Sequence, residues 1–202
     1  MKIFCVGRNY LEHIKELNNA VTTKPLIFMK PSTALLQGNK PFYYPDFTKN
    51  LHYEIEIVLR ICKNGKAIEP QFAHRYYDKI ALGIDFTARD LQDDLKAKGQ
   101  PWEIAKAFDN SAVLSEFYPL PNFDKNAIKF QLLKNGVTVQ DGTTADLMFN
   151  FDTLVSYISK FFTLQTGDLI YTGTPAGVGA VQIGDTLEGI LEGKSAFTCE
   201  IK

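Results

Sequence analysis

The sequence carries almost no excess charge of either sign. Its 202 residues include 22 Lys and Arg against 23 Asp and Glu, a formal net charge of -1, and the basic residues form no long run. Binding to nucleic acid or to an anionic membrane surface draws on concentrated positive charge. This balance argues against nucleic-acid and membrane partners and favours a small molecule as the ligand.

The sequence is also poor in cysteine and lacks a long hydrophobic run. Cys5, Cys62 and Cys199 are far apart, odd in number and not in a metal-binding spacing, which indicates reduced thiols in a reducing compartment. The opening stretch, MKIFCVGRNYLEHIKEL, does not have the pattern of a signal peptide. No stretch approaches the roughly 18 to 20 apolar residues of a transmembrane helix. We therefore expect a cytoplasmic protein.

Short extended runs outnumber short helical ones along the chain. Asn64-Gly65 and Asn135-Gly136 each lie between extended runs, where Asn-Gly pairs favour type I′ hairpins. The stretch FDTLVSYISKFF has helical spacing, with Leu154, Val155, Ile158, Phe161 and Phe162 on the predicted buried face. The sequence contains no internal repeat, low-complexity tract or linker. It predicts one domain over residues 1–202, of the α+β class but mainly β, with helices at its edges.

One predicted strand, LHYEIEIVLRI at residues 51–61, carries two adjacent acidic side chains on one face. Glu54 and Glu56 are two positions apart, so they point to the same side of the sheet. Two neighbouring carboxylates repel each other unless water or a cation neutralises them. The solvent face of any antiparallel strand shows the same pattern. The pair alone leaves both a wet surface and a cation site open.

A third carboxylate lies in an apolar run. Asp85 is flanked by Leu82, Ile84 and Phe86 in ALGIDFTA, and a buried carboxylate is costly unless it is paired or binds a metal. It could instead cap a turn or pair with Arg89. Together with the two glutamates, it would supply the oxygen ligands that suit Mg²⁺ or Mn²⁺.

Three further features carry candidate chemistry. His13 and Glu16 share a face of a short predicted helix, where a histidine with an acidic partner is a candidate general base and an exposed pair is the alternative. Lys106, in EIAKAF, is either a surface lysine or, if buried near the carboxylates, a group that holds a substrate oxygen. The Gly-rich TGTPAGVG, which includes Thr174, lacks the Walker A and dinucleotide patterns but could present N–H groups and a hydroxyl to an anionic substrate.

The order of these motifs is more specific than any one of them. The chain contains GRNY, H-x-x-E, F-x-K-P, E-x-E, G-x-D-x-T-A-R-D-x-Q, K-G-x-P-W-x-x-A-K and T-G-T-P-x-G-V-G in series. This series resembles the fumarylacetoacetate hydrolase superfamily nearly from end to end, and most closely its small acylpyruvase and oxaloacetate decarboxylase branch. The resemblance implies a mixed, barrel-like β-roll with short peripheral helices, a homodimer, and a divalent metal, Mg²⁺ or Mn²⁺.

The resemblance also assigns roles to individual positions. It implies that the three carboxylates are the metal ligands and that a histidine, a glutamate and a lysine are catalytic. It places the histidine and the glutamate on a segment, residues about 8–25, that orders as a lid. In this sequence the metal ligands are Glu54, Glu56 and Asp85, the catalytic residues are His13, Glu16 and Lys106, and the substrate-binding residues are Arg8, Arg89, Gln92 and Thr174.

The predicted function is metal-dependent hydrolysis of a C–C bond in acylpyruvates (2,4-diketo acids), which gives pyruvate and a carboxylic acid. Oxaloacetate decarboxylation needs the same metal and the same enolate, so one site could support both. A 2-hydroxyhepta-2,4-diene-1,7-dioate-type isomerase and an oxaloacetate tautomerase stay open as alternatives. So does a protein of another class, a catalytically silent binding module. The His13–Glu16 pair favours bond cleavage.

Overall fold

The computed structural model describes residues 1–17 and 20–202, and short β-strands dominate them. The strands are β1 (Ile3–Val6), β2 (Ile27–Lys30), β3 (Leu35–Gln37), β4 (Leu51–Tyr53), β5 (Ile55–Ile61), β6 (Tyr77–Asp85), β7 (Thr87–Ala88), β8 (Ala112–Leu114), β9 (Tyr118–Pro119), β10 (Lys129–Lys134), β11 (Val137–Thr143), β12 (Leu169–Tyr171), β13 (Gly179–Ala180), β14 (Thr186–Leu191) and β15 (Lys194–Glu200). The α-helices are α1 (Leu11–Glu16), α2 (Arg89–Ala97), α3 (Glu103–Lys106) and α4 (Phe151–Phe161). Short 3-10 helices cover Ser32–Ala34, Pro70–Arg75, Leu120–Asn122 and Thr144–Asp146.

The strands of the described residues form three sheets. The largest has the order β2-β1-β12-β5-β6-β8-β3, with β9 also paired to β6. A four-stranded sheet has the order β11-β10-β14-β15, and a three-stranded sheet has the order β13-β4-β7. Most neighbours are antiparallel, but β1 pairs with β12 and β3 with β8 in parallel. This mixed, mainly-β arrangement with short helices confirms the predicted α+β fold class.

The central strands β5 and β6 are buried on both faces. Ile57 and Leu59 belong to the main hydrophobic core, while Val58 packs on the opposite face with Ala81 and Tyr171. A strand covered on both sides is apolar along most of its length, which explains the run of aliphatic residues in β5. Polar side chains in these two strands are therefore surrounded by protein.

Residues 51–61 form two strands instead of the single predicted one. The break falls at Glu54: β4 pairs with β7 and β13, whereas β5 pairs with β12 and β6 in the large sheet. The chain thus passes from one sheet to another at this residue, and period-2 alternation does not reveal such a change of partner. The backbone carbonyl of Glu54 still accepts a hydrogen bond from the Asp85 N–H (2.8 Å).

Of the two predicted Asn-Gly hairpins, one is confirmed and one is wrong. Asn135 and Gly136 have φ of 54° and 81° and connect the paired strands β10 and β11. Neither Asn64 nor Gly65 has the positive φ of a type I′ turn. Gly65 instead exchanges backbone hydrogen bonds with Leu164 (3.0 and 2.8 Å). A distant segment therefore takes the bonds that a hairpin strand would have used.

Helix α4 has the predicted apolar face, but only over its first turns. Leu154, Val155 and Ile158 are buried, whereas Phe161 is 59% exposed and Phe162 is 37% exposed. The helix ends at Phe161, so the last two aromatic residues no longer follow the buried face. None of the helices that the structure describes is long and apolar enough to cross a membrane. All three cysteines are free thiols.

Candidate functional site

Three buried carboxylates meet on one face of the central hairpin formed by β5 and β6. In this antiparallel pair, Glu56 lies opposite Gly83, so Glu54 and Asp85 fall opposite each other at the end of the ladder. Cross-strand neighbours on one face are in side-chain contact. One carboxylate oxygen from each of the three residues lies within 4.8 Å of the others. We refer to Glu54, Glu56 and Asp85 as the carboxylate cluster.

Three cations surround the carboxylate cluster in the described part of the chain. Lys106 Nζ, at the end of α3, lies 2.7 Å from Glu54 Oε2 and 2.8 Å from Asp85 Oδ2. Arg89 Nη2, at the start of α2, lies 2.5 Å from Glu54 Oε1. Lys30 Nζ, at the end of β2, lies 2.8 Å from Asp85 Oδ1. Four separate segments, including the hairpin, thus converge on one buried group of charges.

The polar atoms of the cluster fit a divalent cation. Asp85 Oδ1 is buried and accepts no hydrogen bond from the described residues, although the Lys30 ammonium lies 2.8 Å from it. Among the described residues, Glu56 accepts a hydrogen bond only from the Gly173 N–H (2.7 Å) and forms no ion pair. Burial, followed by the negative charges of Asp85 and Glu54, raises the pKa of Glu56 well above its usual value. A hard cation that binds carboxylate oxygens would give Asp85 Oδ1 a partner, give Glu56 a neighbouring positive charge and so favour the ionised form of Glu56.

Glu54 is in the opposite electrostatic situation. Burial acts to raise its pKa, but the positive charges of Lys106 and Arg89 outweigh burial and lower it. The same carboxylates act on Lys106: burial lowers its pKa, and Asp85 and Glu54 reverse that effect and raise it. Glu54 and Lys106 are therefore both charged at neutral pH.

A glycine loop after β12 completes the surroundings of Glu56. Gly173 has φ of +103°, and a Cβ at this position would lie 2.7 Å from Cβ of Asn9. Only glycine adopts this backbone conformation without strain, and it aims the N–H at the Glu56 carboxylate. Thr174 follows; its hydroxyl accepts a hydrogen bond from Gln140 Nε2 (2.8 Å).

The short helix α1 carries His13 to the edge of the same site. His13 is 4% exposed, and its Nδ1 donates to Glu16 Oε2 (3.2 Å). The other oxygen of Glu16 accepts the Gly177 N–H (3.0 Å), so α1 is tied to the Gly-rich loop. Burial lowers the pKa of His13, and the charges of Glu54 and Glu16 only partly oppose this. The imidazole is therefore neutral at pH 7, with Nε2 available as a proton acceptor.

A small cavity connects these groups. Its lining includes six of the residues singled out from the sequence, together with Lys96 and Trp102. The six are Arg8, His13, Glu54, Arg89, Gln92 and Lys106. Arg89 Nη1 donates to Gln92 Oε1 (2.7 Å), which fixes both side chains. Thr174 lies outside this lining, beside the loop that holds Glu56.

Sequence reasoning missed two buried cationic or polar partners. Lys30 is 1% exposed and its ammonium donates to the carbonyl of Lys106 and to Ser111 Oγ (2.9 Å), in addition to its contact with Asp85. Thr87 Oγ1 accepts from Lys106 Nζ (2.6 Å). Lys30 belongs to the F-x-K-P motif, so the motif was a signal for it. Thr87 likewise belongs to the G-x-D-x-T-A-R-D-x-Q motif, which was the signal for it.

Metal binding should raise the thermal stability of the protein. At a Mn²⁺ concentration of about 100 times Kd, linkage adds roughly 2.7 kcal/mol to the free energy of unfolding. For a chain of this size, that corresponds to a rise in Tm of roughly 5–10 °C over the protein in chelator. Glu56→Gln should remove most of the rise, while Glu69→Gln, at an exposed position, should keep it. An equal rise in Glu56→Gln would exclude Glu56 as a ligand.

Comparisons with known proteins show the family to which the chain is similar. The family model described as "Fumarylacetoacetate (FAA) hydrolase C-terminal" matches residues 2–202. The chain is 42% identical over 192 residues to the rat protein "Oxaloacetate tautomerase FAHD1, mitochondrial", covering 95% of this chain and 87% of the relative. It is 41% identical to "Oxaloacetate tautomerase YcgM" of Escherichia coli (strain K12), with 98% and 91% covered. Fumarylpyruvate hydrolase from Pseudomonas aeruginosa, solved with Mn²⁺ and pyruvate, superposes with a TM-score of 0.94 at 36% identity, covering 100% of this chain and 89% of that one.

Proposed function

The chain belongs to the fumarylacetoacetate hydrolase family, and on this premise we propose that it interconverts the keto and enol forms of oxaloacetate in a metal-dependent reaction. The observation that carries the proposal is the position of His13. A neutral, buried imidazole lines the same cavity as Glu54 of the carboxylate cluster, and the cationic and amide side chains of that lining, such as Arg89 and Gln92, can hold an anion. Tautomerisation needs a proton-transfer group, an electrophile and an anion-binding pocket, and nothing more. Relatives named as oxaloacetate tautomerases support this choice of reaction.

The carboxylate cluster would hold Mg²⁺ or Mn²⁺. When bound, the divalent cation would supply Lewis-acid polarisation of the 2-oxo group, which favours loss of a proton from C3. In the proposed reaction, His13 Nε2 takes the C3 proton of the keto form, and the electron pair of that C–H bond forms the enolate. The His13 imidazolium then gives the proton to the 2-oxo oxygen, which yields the enol and restores the neutral imidazole, and the reverse direction retraces these steps. Glu16 holds the ring in the tautomer that leaves Nε2 free and stabilises the imidazolium that forms. The Lys106 ammonium stabilises negative charge on the 2-oxo oxygen.

The charge balance of the site supports an anionic substrate. When all three carboxylates of the cluster are ionised, their negative charges are equal in number to the positive charges of Lys30, Lys106 and Arg89. A divalent cation would then leave an excess of positive charge in a buried site, which is costly. A substrate with two negative charges, such as oxaloacetate, offsets that excess. Arg89 and Gln92, held together by a hydrogen bond, are the proposed partners of a substrate carboxylate.

Acylpyruvate hydrolysis is the second candidate, and the His13–Glu16 pair is the observation that favours it. In that reaction His13 Nε2 takes a proton from water, and the hydroxide adds to the distal carbonyl. The C3–C4 bond then breaks, and the pyruvate enolate accepts a proton at C3. Decarboxylation of oxaloacetate would need the same enolate without the water. The similarity to a fumarylpyruvate hydrolase supports these reactions as activities of the same site.

The remaining predictions concern how the site is assembled. We propose that residues about 8–25 close over the substrate as a lid. The hydrogen bond from the Gly177 N–H to Glu16 would stabilise the closed form. Residues 18 and 19 of this segment lie outside the described residues. The single domain over residues 1–202, the homodimer and the cytoplasmic location stay predictions from the sequence.

The first test is a set of three assays with Mg²⁺, with Mn²⁺ and with chelator. Enol absorbance follows oxaloacetate tautomerisation, and pyruvate release follows both acetylpyruvate hydrolysis and oxaloacetate decarboxylation. We expect metal-dependent tautomerisation at a rate at least 10-fold above either pyruvate-releasing reaction. Faster release from acetylpyruvate would make hydrolysis the main activity instead. Metal binding with no turnover of oxaloacetate or acetylpyruvate would overturn both candidate activities and would favour a catalytically silent binding module.

A further inference from the structure

Lys96 is a cation on the site that the mechanism above does not use. It lies in the last turn of α2, seven positions after Arg89 and four after Gln92. Residues at these spacings share one face of a helix. Lys96, Arg89 and Gln92 accordingly line the same cavity as His13 and Lys106. One face of α2 therefore presents three side chains with hydrogen-bond donors to the cavity.

Lys96 differs from its neighbours because its charge is not paired. Arg89 and Lys106 both form ion pairs with Glu54. Within residues 1–17 and 20–202, no carboxylate oxygen lies within the 4.0 Å of an ion pair from Lys96 Nζ. The ammonium instead lies 5.4 Å from the centre of the Trp102 ring. Burial, and then the positive charge of Arg89, lower the pKa of Lys96.

Trp102 holds the Lys96 head group in place. Its ring packs against Phe28 with a centroid distance of 6.2 Å, and it lines the cavity beside Lys96. A cation over an aromatic face keeps its charge and can still donate hydrogen bonds. A half-buried, unpaired ammonium fixed at the wall of an anion-binding cavity is a ready site for one more carboxylate.

We propose that Lys96 binds the second carboxylate of the substrate and so makes the enzyme select 2-oxo diacids over 2-oxo monoacids. This inference rests on the proposed function, because it places the 2-oxo carboxylate near Arg89 and Gln92. From Gln92 to Lys96 the helix rises roughly 6 Å. That distance is similar to the span between the outermost oxygens of the two carboxylates in an extended four-carbon diacid. Lys96 is thus a specificity residue at the far end of the substrate.

The test compares a diacid with a monoacid in Lys96→Met. We expect kcat/KM for oxaloacetate tautomerisation to fall about 10- to 100-fold, mostly through KM, as for loss of one charge-assisted hydrogen bond. Tautomerisation of phenylpyruvate, a monoacid, should stay within about 2-fold. Lys96→Arg should recover much of the loss. Lys98→Met, which removes a charge from an exposed Lys98–Asp94 pair just past the end of α2, is the matched control and should change neither substrate.

Binding separates this inference from the proposed function. Calorimetry on the Mg²⁺-loaded protein would compare difluoro-oxaloacetate, which has no C3 proton to lose, with pyruvate. Weaker binding of the diacid alone in Lys96→Met would support the role of Lys96 even if wild type turned over neither substrate. An equal loss of binding affinity for the diacid and the monoacid in Lys96→Met, or no loss of affinity for either, would overturn the role of Lys96, whatever the activity of wild type.

Discussion

Replacing His13 by Gln should lower kcat for oxaloacetate tautomerisation by about 10²- to 10⁴-fold, the usual contribution of a general acid–base group. Gln can still donate to Glu16, but it cannot accept and return a proton. His13 is 4% exposed and lines the cavity shared with Lys106 and Arg89. No other histidine of the described residues lines this cavity, so no second imidazole can replace it as the base. The measurement is steady-state kinetics in saturating Mn²⁺.

The control for this variant is metal binding. His13 is not part of the carboxylate cluster, so His13→Gln should keep the Mn²⁺-induced rise in Tm. Turnover within a few-fold of wild type would mean that His13 is not the base. Loss of the Tm rise together with activity would mean that the variant disturbs the metal site instead.

The pH profile offers a second view of His13. A general base must be neutral, and burial lowers the pKa of His13 from its ordinary 6.5. The acid limb of kcat/KM should therefore lie below pH 6.5, with activity lost as pH falls through it. Glu16 acts to raise the pKa of His13, so Glu16→Gln should move the limb to lower pH and reduce kcat less than His13→Gln does.

Lys30→Met should lower the free energy of unfolding by about 3–5 kcal/mol in the absence of metal, as expected when one partner of a buried ion pair is removed. Lys30 is fully enclosed and lies 2.8 Å from Asp85 Oδ1. Without it, Lys106 is the one cation of the described residues that still pairs with Asp85, and the Lys106 and Ser111 carbonyls lose a donor. Urea denaturation in chelator measures the change.

A double-mutant cycle tests whether the ion pair is the cause. In the variant that combines Lys30→Met with Asp85→Asn, no unpaired charge remains at this contact, so part of the stability should return. We expect a coupling free energy of about 1–3 kcal/mol. Lys98→Met removes an exposed pair and should cost less than about 1 kcal/mol. Strict additivity in the cycle would show that Lys30 acts through packing and not through Asp85.

Several elements of the fold could be predicted because their causes are local. Asn135-Gly136 forms its turn because the flanking strands β10 and β11 pair directly with each other, while β14 pairs with the other edge of β10. The apolar spacing of α4 can be read within the helix's own sequence, although its buried face packs against the main core. Asn64-Gly65 has the same sequence signal, yet Leu164 takes its backbone hydrogen bonds. The strand at 51–61 divides for a related reason, since its two halves pair with different sheets.

The candidate metal ligands were visible in the sequence by their chemistry. Two glutamates on one strand face and an aspartate in an apolar run are costly unless something positive joins them, and that cost can be read without coordinates. The motif order added the family. Neither indicated that Glu54 and Asp85 stand opposite each other, which follows from the register of β5 and β6.

The amino-acid sequence alone therefore indicated the fold class, the family, the three candidate carboxylates and the His13–Glu16 pair, because residue types, their local spacing and the order of motifs can be read along the chain. The tertiary structure decided which charges are satisfied. Lys30 forms an ion pair with Asp85, the Gly173 N–H donates a hydrogen bond to Glu56, and Lys96 has no carboxylate partner in the described chain. Those outcomes depend on which distant segments pack together, and pairing between segments more than 50 residues apart has no local signal.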